Sequence, residues 1–239
     1  MGADKQEHEK LVETLKDPKS LESYKNSCTE VYISIIPRIL GGILIGAGNI
    51  LYGTKPSYLK FRAVEVIARV PYHSWAAVAH TLLTIFYRNE KKALELCEDS
   101  NFARLSQDNE TMHVIVISHL SEKEETGNII THTLIPMLFA FFYYWVSYIM
   151  YLIIPSWSLQ LNYLFENHAF EQYDRFLKEN EEALKDKSIE SDFLSWYGRE
   201  FLTQYDFFVS VRSDEIIHRN KSIRASEEIR ARRSGTLQS

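Results

Sequence analysis

Apolar residues recur at three- and four-residue spacings through most of this chain, and glycine and proline are few and clustered. That pattern predicts an all-helical protein. A polar arm leads into Val31 to Leu51, nearly all apolar apart from Arg38, with Pro37 near its start. Gly41, Gly42, Gly46 and Gly48 give this run a smooth face that another helix or lipid could approach closely. Gly53, Pro56 and Ser57 mark a break. The spacing then predicts a helix from Tyr58 to Arg88, with Phe61, Glu65, Ala68, Tyr72 and Trp75 on one stripe and a kink at Pro71. A charged link, Asn89 to Asp99, leads to Ser100 and Asn101 as a cap for the next helix. That helix carries Glu110, His113, Ile117 and Leu120 on one face and ends near Gly127. Leu134 to Ile154 is the most apolar stretch. From Ser156 to Leu184 the stripe is Leu159, Tyr163, Glu166, Phe170, Tyr173 and Leu177. A last helix, predicted from Asp192 to Ile223, sets Phe208, Val211, Glu215 and His218 along one side.

The chain of 239 residues is 45% hydrophobic, enough for one domain with a large core and membrane contact. A net charge of −5 gives no support to nucleic-acid binding. The basic residues near the C-terminus are interrupted by Glu227 and Glu228, and read as a frayed, solvated tail that leans on anionic lipid. Cys28 and Cys97 are too few for a disulfide framework, and neither has zinc-site spacing. Met1 to Asn26 is charged and lacks the apolar core of a secretory signal, so the chain reads as made where it works or trimmed from something longer. The expected divisions are an arm over 1–30, a main domain over 31–223 and a tail over 224–239.

Two segments carry the candidate chemistry. Glu110 and His113, like Glu215 and His218, are three residues apart, so on a helix both side chains of each pair leave the same face. A carboxylate oxygen and an imidazole nitrogen one turn apart suit a metal ion. Chance alone would supply about one such pair, so the surroundings matter. Glu65, Glu110, Glu166 and Glu215 all lie on stripes that are otherwise largely apolar, and an unpaired buried carboxylate costs several kcal/mol. Singly, each could pair with Arg62, Arg69, Arg175 or Arg212, or face water. Together they make a known donor set: a Glu from each of two helices and a Glu-x-x-His from each of two others, the pattern of ferritin-like di-iron carboxylate four-helix bundles. Four carboxylates balance the charge of two divalent metals. Asn109 and Asp214, each just before a candidate ligand, are expected to orient it through hydrogen bonds.

Four runs resemble the signature boxes of the alternative oxidases. They are Glu65 to Tyr72 (EVIARVPY), Asn109 to His113 (NETMH), Glu166 to Asp174 (ENHAFEQYD) and Arg212 to His218 (RSDEIIH). The details lean toward the plastid terminal oxidase branch, and the likeness runs from about Lys60 to Asn220. The resemblance implies a non-haem di-iron enzyme that oxidises plastoquinol or ubiquinol and reduces O2 to water without pumping protons. It places two iron ions at Glu65, Glu110, His113, Glu166, Glu215 and His218, with the carboxylates as the firmer ligands. Tyr173 falls on the tyrosine thought to pass an electron and a proton to bound oxygen. The quinol pocket falls on Lys60, Val64, Phe165 and Ala169. The chain departs from the family there, which usually has Arg at Lys60, Leu at Val64 and Thr at Gln172.

Leu134 to Ile154 has no charge and is long enough to span a bilayer. A single crossing, however, would put Glu65 and Glu110 on one side and Glu166 and Glu215 on the other. Rings at Tyr143, Tyr144, Trp145, Tyr148 and Tyr151 also crowd the middle and second half, unlike the two end belts of a spanning helix. The expectation is therefore a di-iron bundle with two helices embedded in one leaflet, a monotopic membrane protein. A plastid, bacterial or mitochondrial membrane would serve equally, and a homodimer is compatible. The competing expectations are a di-iron monooxygenase that hydroxylates a quinone-like lipid, and a non-catalytic helical membrane protein.

Overall fold

The computed structural model describes residues 2–124 and 127–233. Its helices are α1 (Gly2–Thr14), α2 (Pro18–Asn26), α3 (Ile35–Tyr52), α4 (Tyr58–Ala68), α5 (Val70–Phe86), α6 (Glu90–Glu124), α7 (Ile135–Ile153, entered through a π turn at Ile130–Leu134), α8 (Pro155–Lys185), α9 (Asp192–Tyr197) and α10 (Gln204–Arg233). Among the described residues the only β pairing is a lone bridge between Ser188 and Thr203. The fold is all-α, as the periodicity predicts.

Four helices form the bundle: α4, α6, α8 and α10, with α8 and α10 in the most extensive contact. Their facing stripes close an aromatic-rich core around Phe61, Tyr173, Phe176, Phe207 and Phe208. Phe61 stacks on Tyr173 with centroids 4.1 Å apart. Each such buried ring contributes about 1.5–3 kcal/mol from apolar burial. α3 packs on α8, and α7 lies along α5. Gly41 allows the first of these contacts, since a Cβ there would sit 2.9 Å from Leu164 Cδ1. Gly42, Gly46 and Gly48 face open space, so only the first of the four glycines serves helix contact.

The long helix over Tyr58 to Arg88 divides at Arg69, with Pro71 in the first turn of α5, where its missing donor costs nothing. The charged stretch after Asn89 is helical and not a link. Asn89 Oδ1 accepts from Lys92 N at 3.1 Å and caps α6, whereas Ser100 and Asn101 lie inside that helix. The helix expected from Asp192 to Ile223 is two. Gly198, at φ 92°, ends α9 in the left-handed region, its N–H returning to Leu194 and Ser195. α10 then runs to Arg233, with Ser222, Ile223 and Ser226 buried, so the first part of the expected frayed tail is ordered helix. Residues 234–239 of that tail lie outside the described residues.

The polar arm also folds. α1 and α2 pack on α10, burying Val12 and Leu15 against Phe170, Ile216 and Ile217. Arg219 and Asn220 hold the end of α2: Asn220 Nδ2 donates to Tyr24 O at 2.8 Å, and Arg219 Nη2 to Lys25 O at 2.5 Å. A guanidinium and an amide there answer the unpaired carbonyls of a helix C-terminus, the cation also suiting its dipole.

Candidate metal centre and adjoining pocket

Glu65 from α4, Glu110 and His113 from α6, Glu166 from α8, and Glu215 and His218 from α10 meet at one point in the bundle. None of the six is more than 2% exposed. Their ligand atoms fall into two overlapping groups, one of Glu65, Glu110, His113 and Glu215, the other of Glu110, Glu166, Glu215 and His218. Within each group the atoms lie within 4.8 Å of one another. Glu110 and Glu215 belong to both groups and would be shared between two cations. Glu65 with His113, and Glu166 with His218, are placed to serve one cation each.

Among the described residues no arginine neutralises these carboxylates in the way the alternative assignment requires. Arg62 donates to Ser121 and Thr133, Arg175 pairs with Glu179, Arg212 pairs with Asp174, and Arg69 is exposed. The atoms turned into the cluster lack hydrogen-bond partners: Glu65 Oε2, both oxygens of Glu110, Glu166 Oε2, both oxygens of Glu215, His113 Nδ1 and both nitrogens of His218. His218 Nδ1 is 2.7 Å from Glu110 Oε1 without the alignment of a hydrogen bond. Each unpaired buried polar atom costs about 1–3 kcal/mol. A pair of divalent cations would take up the carboxylate oxygens, His113 Nδ1 and one ring nitrogen of His218, so the donor set fits a two-metal centre.

The electrostatics agree. Burial, reinforced by Glu110, lifts the Glu65 carboxyl to about 7 and also raises Glu166. Burial together with Glu110 and Glu166 pushes Glu215 well above the usual carboxylate range. Burial works against ionised Glu110 too, but His113 and His218 beside it hold it well below that range. Packed carboxylates of one sign share protons unless a cation replaces those protons.

Hydrogen bonds orient Glu65, Glu166 and His113 and leave their inner atoms free. His113 Nε2 donates to Asp214 Oδ2 at 3.0 Å. This turns Nδ1 toward Glu215, Glu110 and Glu65 at 3.3, 3.4 and 3.7 Å. Asp214 is held ionised against burial by Arg199, which grips it through Nη2 to Oδ1 at 2.9 Å and Nη1 to Oδ2 at 2.5 Å. Asn109 Nδ2 donates to Asp214 Oδ2 at 3.2 Å and to the Tyr197 hydroxyl at 3.3 Å. Asn109 and Asp214 thus form one network behind His113.

The Tyr173 hydroxyl donates to Glu65 Oε1. The Tyr72 hydroxyl donates to Glu166 Oε1 at 2.7 Å, where Asn162 Nδ2 also donates at 2.9 Å. Each tyrosine stands seven residues after a glutamate on its own strand of the bundle and serves the glutamate on the other. This is the crossing expected of antiparallel helices in one register. The seven-residue spacing that drew attention to Tyr173 was therefore present for Tyr72 as well. Arg199 and Asn162 offered no comparable signal.

A cavity of about 150 Å³ opens beside Glu65 and Tyr173. Lys60, Val64, Phe165 and Ala169 all line it, together with Leu44 and Gly48 of α3 and Phe139 and Tyr143 of α7. Lys60 is buried, and its ammonium is fully engaged: Nζ donates to Gly53 O at 2.8 Å and to Asn49 Oδ1 and Gln172 Oε1, both at 3.0 Å. Burial, and then Arg175, lowers its pKa.

Fold and site define an all-α bundle protein with a buried carboxylate and histidine cluster that could hold metal ions beside an apolar pocket. A family model described as alternative oxidase matches residues 9–227, and the chain belongs to that family. The match begins within α1, so it takes in most of the arm. Over 93% of its length the chain is 27% identical to ubiquinol oxidase 4, chloroplastic/chromoplastic, of Arabidopsis thaliana, covering 67% of that protein. By this membership the chain is an oxidoreductase of the quinol:oxygen class.

Proposed function

We propose that the chain is a di-iron quinol oxidase seated on one face of a membrane, oxidising plastoquinol or ubiquinol and reducing O2 to water without carrying protons across. The two overlapping ligand groups with their unpaired inward atoms carry the proposal. Glu65, Glu110, Glu166 and Glu215 would hold the irons, with His113 and His218 completing the set; hard oxygen donors with one imidazole per metal suit iron. When bound, the irons supply the electron transfer to O2.

The chain's own residues bind, orient and shield. The apolar cavity leads the quinol ring toward Tyr173 and Glu65, and Phe165 and Tyr143 keep water from that path. Lys60, with every proton engaged, fixes Gln172 and Asn49 at the polar end of the pocket. Burial, then Glu65, pushes the Tyr173 phenol far up, so its proton stays on the hydroxyl, shared with Glu65 until an electron leaves with it.

Both α3 and the segment Ile130–Ile153 are apolar enough to meet lipid, with only 11% and 17% of them buried. Exposed Ile39 and Ile43 on α3, and Phe141, Phe142 and Trp145 on α7, form that surface. Ligands that precede α7 and ligands that follow it share one cluster, which supports α7 lying within a single leaflet. A quinol entering from the lipid would then reach the cavity mouth between the two helices.

The test is oxygen consumption by membranes carrying the protein, fed ubiquinol or plastoquinol, with cyanide silencing haem oxidases. Cyanide-resistant uptake with quinone as the sole organic product is expected. A hydroxylated ring would favour the monooxygenase. No uptake from either quinol by iron-loaded protein would overturn the oxidase.

A further inference from the structure

Behind the metal centre stands a third histidine, delivered by the N-terminal arm. α1 turns Lys5, His8, Glu9 and Val12, one face at three- and four-residue spacing, toward α9 and α10. Lys5 Nζ donates to Tyr197 O at 2.6 Å, and Glu9 accepts from Arg199 Nε and Nη2 at 2.8 and 3.0 Å. Between them His8, 2% exposed, places Nε2 at 2.7 Å from Asp214 Oδ1. Both oxygens of Asp214 already accept from Arg199, so the carboxylate acts as acceptor and His8 Nε2 is the donor. Asp214 therefore takes one histidine on each oxygen: His113 on Oδ2 and His8 on Oδ1. The arm also grips Asp214 a second way, since Glu9 holds the far side of Arg199. The His8 ring lies 5.8 Å from that of His218 and covers this end of the cluster.

We propose that His8 is a positioning residue of the metal centre: with Glu9 acting through Arg199, it locks the Asp214 carboxylate in the orientation that points His113 Nδ1 at the cluster. The inference rests on the metal-centre proposal above. It makes the arm part of the oxidase site, although it lies 206 residues from its partner in sequence. A histidine that merely filled space would leave cation affinity unchanged when replaced by a side chain of similar volume.

Purified full-length protein, stripped of metal, is titrated with Co(II) and with Fe(II), following affinity and the Co(II) visible spectrum. His8→Leu keeps volume and loses the donor; His8→Gln keeps an N–H where Nε2 stands. Lys10→Gln, on the exposed face of α1, is the control. His8→Leu is expected to weaken cation binding about tenfold and shift the spectrum, the effect typical of residues that orient ligands. His8→Gln is expected to restore both. In an Asp214→Asn background His8→Leu is expected to add nothing, because the two residues act through one contact. Unchanged binding by His8→Leu, equal loss in His8→Leu and His8→Gln, or an undiminished further loss on top of Asp214→Asn would each overturn the inference. Wild-type protein that binds neither cation would overturn the metal-centre proposal, and this one with it; wild-type protein that binds two while His8→Leu matches it overturns this one alone.

Discussion

Glu65 and Glu166 have the same local design: one oxygen takes a tyrosine hydroxyl from the facing helix and the other points unpaired into the cluster. Such a carboxylate has its rotamer set before any cation arrives, which spares the ordering entropy at binding. Glu166→Ala removes one ligand and leaves the Tyr72 hydroxyl without its acceptor. It is expected to lower bound iron and cut oxygen uptake about a hundredfold, checked by metal analysis beside the oxygen electrode. Tyr173→Phe keeps the stacking on Phe61 and is expected to retain full iron. Turnover should nevertheless fall about a hundredfold with little change in KM, as loss of a proton-transferring group does. Steady-state kinetics on iron-matched samples would show it, and a fully active variant would remove Tyr173 from the mechanism. The six ligand candidates were legible because a glutamate on an apolar stripe contradicts burial energetics. Arg199 and His8 were not, since a lone Arg or His in a polar stretch contradicts nothing.

Element ends were harder to read than element faces. The stripes through Glu65, Glu110, Glu166 and Glu215 are buried as the periodicity requires, apart from half-buried Ala68. The charged run after Asn89 looked like a link because charge hides the 3.6-residue repeat, yet α6 begins there with Asn89 as its cap. Gly198 is the decisive break. It adopts φ 92° and lets the chain turn so that Arg199 reaches Asp214 and Glu9. A Cβ at this position meets nothing closer than Lys5 Nζ at 4.0 Å, so a substitution is penalised by the backbone and not by crowding. Gly198→Ala is expected to cost about 1–2 kcal/mol, the penalty of the left-handed region for a residue with Cβ. A chain of this size would then melt about 2–8 °C lower by calorimetry.

On the scale of the molecule, one bundle surface is covered by the arm and another by apolar helices that face outward. The Arg199–Glu9 and His8–Asp214 contacts join the first element to the last, whereas α3 and α7 leave Ile43, Phe141, Phe142 and Trp145 exposed. Such exposed apolar faces on a soluble protein would drive aggregation; against lipid they would serve as an anchor. Phe142→Glu with Trp145→Glu is expected to move the protein from membrane pellet to supernatant in a flotation assay. Bound iron should be unchanged, because neither side chain reaches the cluster. A double variant that stays with the vesicles would remove α7 from the anchor.

The sequence alone determined the all-helical class, the four buried stripes and the six candidate ligands. Periodicity and the cost of burying carboxylates act locally, within a turn or two of each residue. Only the tertiary structure decided that Glu110 and Glu215 belong to both ligand groups, that Tyr72 mirrors Tyr173, and that His8 and Glu9 of the arm reach Asp214 and Arg199. Those facts depend on the register of antiparallel helices and on contacts between residues up to 206 positions apart. A local pattern can single out one side chain, but not the distant partner that the fold of the whole chain sets beside it.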